Sequence, residues 1–166
     1  MSLLPEWYLV GWVVLLGLIV GSFLNVIIYR LHTGKSLGGS SHCLSCGEGL
    51  RWFELFPVMS YLALRGRCRH CQSFIPVRYL VVELATAVGL ALIYLHTGLS
   101  LLLPLEWLLF ATLLVITVYD YYHLIIPNEL VGAVGVLALG LWWLTTGGAL
   151  LFLWPALAAG LAGFAV

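Results

Sequence analysis

A chain of 166 residues that is 63% apolar and only 8% charged, with a mean hydropathy of +1.09, is not built for water. A soluble domain carries roughly three times that share of charge, so lipid is the solvent for most of this one and a freely soluble protein is excluded. The formal net charge of zero hides a strong asymmetry in where the charges lie.

Five apolar stretches are long enough, or nearly so, to cross a hydrocarbon core of about 30 Å at about 1.5 Å per residue. They run from Tyr8 to Tyr29, Tyr79 to Leu95, Leu105 to Tyr122, Leu130 to Leu144 and Ala149 to Val166. A single segment in lipid must satisfy its own backbone hydrogen bonds, so each is expected to be a helix, and the fold class is an all-α polytopic membrane bundle. The first stretch could also be a cleaved signal peptide, but it is too long, lacks a basic flank and is followed by no small-residue cleavage site. Three regions follow: a first transmembrane helix (1–29), a polar loop domain (30–78) and four further helices (79–166). No internal repeat or low-complexity linker interrupts them.

All seven basic residues, Arg30, Lys35, Arg51, Arg65, Arg67, Arg69 and Arg78, fall in or at the edges of the loop between the first and second helices. The positive-inside rule makes that loop cytoplasmic. The N-terminus and the Gly98 to Pro104 and Thr145 to Gly148 connections are then outside, and the Asp120 to Asn128 connection is inside.

The loop holds all four cysteines in two pairs, Cys43 with Cys46 and Cys68 with Cys71, separated by 21 residues. Two C-x-x-C turns can aim four thiolates at one ion at about 2.3 Å, a closed tetrahedral zinc shell with no position for substrate. Its 49 residues are too few for a large core, so metal would supply much of the folding energy. Disulfides or free thiols are the alternatives, and a reducing cytoplasm argues against the first. His42 and His70 flank the pairs and read as surface residues, because four sulfurs already fill the shell.

An acid in or beside a bilayer usually has a task. Glu83, one turn inside the second helix, reads as a structural partner for Arg78 or another loop arginine. Glu106, after Pro104, suits the positive end of the third helix. Asp120, the sole aspartate, stands among Tyr119, Tyr121 and Tyr122 where the third helix meets the cytoplasmic face. Pro127 and Asn128 then break the apolar run, with Asn128 as the expected N-cap before Glu129. The residues themselves leave open whether Asp120 is a solvated loop acid or a catalytic one.

Several runs together resemble the type IV prepilin peptidase family: Gly-Ser-Phe-Leu-Asn-Val-Ile-Ile-Tyr-Arg-Leu from Gly21 to Leu31, the paired C-x-x-C turns, Arg-Gly-Arg-Cys-Arg-His-Cys from Arg65 to Cys71, Pro-Val-Arg-Tyr-Leu-Val-Val-Glu-Leu from Pro76 to Leu84, and the Asp120 to Pro127 spacing. The resemblance implies a bacterial inner-membrane aspartic endopeptidase. Such an enzyme cuts the basic leader from type IV prepilins or type II secretion pseudopilins after a glycine, then methylates the new N-terminus with S-adenosylmethionine. It makes Asp120 the first catalytic aspartate and Cys43, Cys46, Cys68 and Cys71 the ligands of a structural zinc. The expected partners are prepilin substrates and membrane lipid, with no nucleic acid.

The pattern also departs from the family. Its second aspartate, in a Gly-x-Gly-Asp motif, is absent, and the apolar run from Ala156 to Val166 stops without a polar flank, so truncation of a longer protein is the expectation. Asn128 stands where many members have aspartate. No glycine-rich cofactor loop is present, and Gly38 with Gly39 reads as loop flexibility, so the methyl donor rests on the resemblance alone. If Val166 were the true end, the alternative is an inactive membrane zinc-binding adaptor for pilus assembly. A small transporter fits less well, because the polar groups gather at one membrane edge.

Overall fold

The structure, a computed structural model, describes residues 5–34, 38–39 and 41–146. Four helices long and apolar enough to cross a membrane make up most of it: α1 (Glu6–Thr33), α3 (Arg78–Thr97), α4 (Leu103–His123) and α5 (Asn128–Thr146). Between α1 and α3 lie a 3-10 turn (Trp52–Leu55), the short helix α2 (Met59–Ala63) and two isolated bridges, His42 with Gly49 and Arg67 with Phe74. The all-α bundle expected from the apolar stretches is what forms; the fifth stretch lies outside the described residues.

Each helix runs a few residues past its apolar stretch. Hydropathy marks the thickness of lipid, whereas the hydrogen-bond ladder continues until a residue breaks it. In α1 that residue is Gly34, left-handed at φ 63° as a C-cap, with Arg30 and His32 in the preceding turn opposing the helix dipole. At about 1.5 Å per residue α1 is about 42 Å long, so it outreaches a bilayer core by about 12 Å. Those extra turns carry the charged end toward the loop domain. Asn128 is a correction: it is the first residue of α5, and the Pro127 carbonyl accepts the N–H groups of Leu130 and Val131, so proline holds the cap position.

Lipid gives helices no hydrophobic reason to associate, so close backbone approach and satisfied polar groups must hold them. The seam between α1 and α3 has both. Gly17, Gly21 and Asn25 face Ala87, Glu83 and Tyr79 in steps of four along antiparallel axes. A Cβ at Gly17 would lie 2.5 Å from Ala87 Cα, and one at Gly21 2.7 Å from Glu83 Cα. The two helices therefore touch backbone to backbone. Beside this seam Val13, Leu90, Ala91, Tyr94 and Leu103 form one buried cluster, and Leu24, Ile28, Val82, Ala111 and Val115 form a second nearer the loop domain. The Trp107 indole donates to the Leu90 carbonyl at 3.1 Å, tying α4 to α3. Thr86, Thr112 and Thr117 each donate back to the carbonyl four residues earlier, so these three hydroxyls are satisfied within their own helices.

Gly21→Val is expected to loosen the seam. Its added atoms meet backbone and the Thr86 hydroxyl at 3.0 Å, and overpacking of this kind costs about 1–3 kcal/mol. Thermal melting in detergent should show a lower midpoint for Gly21→Val and no change for Gly11→Val, where a Cβ meets nothing within 4 Å. Equal midpoints for the two variants would mean the helices do not pack this closely.

Candidate functional site

The two C-x-x-C segments fold alike. In the first, the Cys43 N–H donates to the Glu48 carbonyl at 2.8 Å and the Gly47 N–H returns to the Cys43 carbonyl at 2.9 Å. In the second, Cys68 N–H donates to the Ser73 carbonyl at 2.9 Å and Gln72 N–H to the Cys68 carbonyl at 3.0 Å. Both turns need a left-handed residue after the second cysteine, Gly47 at φ 75° and Gln72 at φ 58°. The second knuckle thus bears a strain that the first avoids with glycine.

The paired turns bring all four sulfurs within 4.8 Å of one another. Tetrahedral arms of about 2.3 Å imply edges of about 3.8 Å, and Cys43 Sγ lies 3.8 Å from Cys71 Sγ. The donor set therefore fits a tetrahedral soft-ligand cation such as zinc. Electrostatics agree. The backbone N–H groups of Cys46 and Ser45, against some desolvation, bring the Cys43 thiol down to about 6. Cys46 is pulled down by its contact with the Glu48 backbone, yet desolvation and the sulfurs of Cys71 and Cys43 leave it pushed up to about 12. Four thiolates this close cannot all ionise without a cation among them. His42 and His70 are both exposed, as expected for residues outside the shell.

Asp120 lies in the last turn of α4, half-buried, with its backbone carbonyl accepting the Leu124 N–H at 2.8 Å. Among the described residues its carboxylate has no hydrogen-bond or ion-pair partner. Three helix ends meet around it. His123 of α4 stacks on His32 of α1 at 3.9 Å between ring centroids and leans on Tyr119 at 4.6 Å, while Arg78 at the start of α3 lies over the Tyr122 ring at 5.0 Å. The chain end of α1 that leads to the knuckle and the helix end that bears Asp120 are thus neighbours.

Glu83 differs from expectation. Arg78 turns to the rings of Tyr79 and Tyr122, and Glu83 instead accepts the Val58 N–H at 2.7 Å, with Ser22 also against its carboxylate. Val58, at φ 60° and ψ −50°, is the centre of a tight three-residue turn closed by Met59 N–H on the Pro57 carbonyl. That conformation is strained for a β-branched residue, and the buried carboxylate is what holds it. Glu106 sits in the first turn of α4 as expected and also accepts the Thr97 hydroxyl at 2.8 Å.

Reading the sequence missed Asn25, which is 2% exposed inside α1. A buried amide within an apolar span is as much a signal as a buried acid. The amide lines a cavity of about 540 Å3 between the helices and the knuckle, which Glu83, Tyr29, Cys43 and Cys68 also line.

The profile of the Bacterial Peptidase A24 N-terminal domain matches residues 15–97, half of the chain. A prepilin leader peptidase/N-methyltransferase of Pseudomonas putida is 35% identical over 151 residues, covering 75% of this chain and 51% of the relative. Another of that name from Vibrio cholerae is 35% identical over 137 residues, covering 75% and 53%. One from Myxococcus xanthus is 51% identical over 74 residues, covering 44% and 22%. The chain spans about half the length of the first two of these curated relatives. No solved structure matches.

Proposed function

The chain belongs to the type IV prepilin peptidase family, the bacterial A24 peptidases, and from that premise we propose that it carries the zinc knuckle and first catalytic aspartate of a membrane-embedded aspartic endopeptidase. The substrates are type IV prepilins or type II secretion pseudopilins, cut at the end of their basic leader. The observation that carries this reading is the family match over the knuckle and its flanking helices, combined with an Asp120 carboxylate that has no partner among the described residues.

Two carboxylates held close cannot both ionise, so they share one proton. One then activates water while the other protonates the carbonyl or the leaving amine. Asp120 supplies one member, and in this family the other belongs to a Gly-x-Gly-Asp motif that these 166 residues do not contain. The knuckle is structural, since four sulfurs leave no coordination position for substrate. Cys43, Cys46, Cys68 and Cys71 hold its zinc. The clustering of all seven basic residues at this loop supports a knuckle and Asp120 on the cytoplasmic face of the bacterial inner membrane, with the N-terminus outside. S-adenosylmethionine, when bound, supplies the methyl group for the new N-terminal amine.

The full-length protein in liposomes should shorten an added prepilin by the length of its leader, read by intact mass. Prepilin of unchanged mass after prolonged incubation would count against the protease reading.

A further inference from the structure

The cavity beneath the knuckle has the α1–α3 seam as its floor, and two buried polar side chains open into it, Asn25 at 2% and Glu83 at 7% exposure. The orientation of Asn25 follows from its neighbour. Its Nδ2 donates to the Tyr79 carbonyl at 3.0 Å, and only nitrogen can face that acceptor, so the amide oxygen turns away. That Oδ1 is buried and, among the described residues, has no hydrogen-bond partner. Unmet buried acceptors are rare in native proteins because they cost stability.

Glu83 stands one helical turn along α3 from Tyr79. One carboxylate oxygen accepts the Val58 N–H, but among the described residues no cation pairs with the acid. Both acceptors line the same cavity. A single ammonium can donate to two such acceptors at once, at about 2.8 Å each. The arginines that line the same cavity are engaged elsewhere: Arg30 donates to the Gly38 and Gly39 carbonyls at 2.9 and 3.2 Å, and Arg69 lies over the Phe53 ring. Val26, Leu50, Leu64, Phe74 and Ile75 make much of the remaining wall apolar.

A buried carboxylate without a counter-ion and a buried amide oxygen without a donor, both among the described residues, share one complement, a charged group with several N–H donors. We propose that this cavity is a seat for a primary α-ammonium group carried on an apolar body. The identity of the source rests on the reading above. Hydrolysis of a peptide bond leaves such an amine on the new N-terminus, and a methionine-based methyl donor carries one at its amino-acid end.

The test is titration calorimetry on the full-length protein in lipid nanodiscs with two probe pairs. The first pair is a phenylalanine-headed hexapeptide with a free amine and its N-acetyl twin. The second is S-adenosylmethionine and 5′-methylthioadenosine, which lacks the amino-acid end. In at least one pair the amine-bearing probe should bind about tenfold tighter or more. Glu83→Gln, which keeps an acceptor for Val58, and Asn25→Leu should both erase that difference, with melting temperature and zinc content confirming the fold of each variant. Discrimination in the first pair names the peptide as the source, and in the second the methyl donor. Equal affinities within both pairs, undetectable binding included, or discrimination that survives in both variants, overturns the seat. Binding requires no cleavage, so intact discrimination without leader cleavage removes the protease reading alone, and the reverse result removes the seat alone.

Discussion

Leader cleavage by the full-length protein is expected to fall on the order of 10²- to 10⁴-fold when Asp120 becomes asparagine, the usual worth of a positioned acid or base. Asparagine keeps the size and polarity of the side chain but can neither take nor give the shared proton. The carboxylate of Asp120 has no partner among the described residues, so its replacement removes no contact that holds α4 in place. Membrane insertion, thermal midpoint and zinc content should therefore match the parent protein. This separation is the diagnostic part. A structural acid would lower stability along with activity, whereas a catalytic one lowers only the rate. Cleavage at the parental rate by Asp120→Asn would remove the catalytic assignment.

Loss of the metal should act on a different part of the molecule. Between residues 41 and 77 only Gly66 and Cys68 are buried, so the loop has almost no apolar interior to hold its shape. Structural zinc in small peptides is worth about 10–16 kcal/mol at neutral pH, far more than the turns and the Arg67–Phe74 contact can provide. Cys43→Ser combined with Cys68→Ser, or prolonged exposure to a strong chelator, should abolish one-to-one zinc and expose the loop to limited proteolysis. The α1–α3 seam contains no sulfur ligand, so helical content should survive. A loop that stays protease-resistant and metal-loaded in the double variant would show that these sulfurs are not the ligands.

The two predictions differ in how much of their basis could be read in advance. The approximate positions of the four described helices followed from apolar length, because each span in lipid has to satisfy its own backbone. The four-sulfur site followed from C-x-x-C spacing, because two residues between cysteines suffice to turn both thiolates toward one point, and the sulfurs do converge. The pairing of Glu83 with an arginine was misread. Sequence proximity suggests Arg78, five residues away, but a guanidinium at the helix start reaches two aromatic rings, and a backbone N–H from a loop 25 residues distant reaches the carboxylate first. Asn25 carries no charge to mark it within an apolar run, and only the approach of Tyr79 shows that it is buried.

What one-dimensional information determined here is everything governed by composition and short spacing: a lipid-dissolved bundle, a knuckle with the donors for one soft cation, and a lone aspartate at a helix end. Tertiary structure decided which of those pieces meet. The close approach of α1 and α3 through Gly17 and Gly21 places Asn25 opposite Tyr79 and Glu83 beneath the knuckle. The stacking of His32 on His123 brings the end of α1 beside the turn that bears Asp120. Such juxtapositions depend on where two small residues four apart on one helix meet the backbone of another, and on which polar groups are left unpaired when they do. Neither is a property of any one segment, because a glycine opens a gap only when another backbone arrives to fill it.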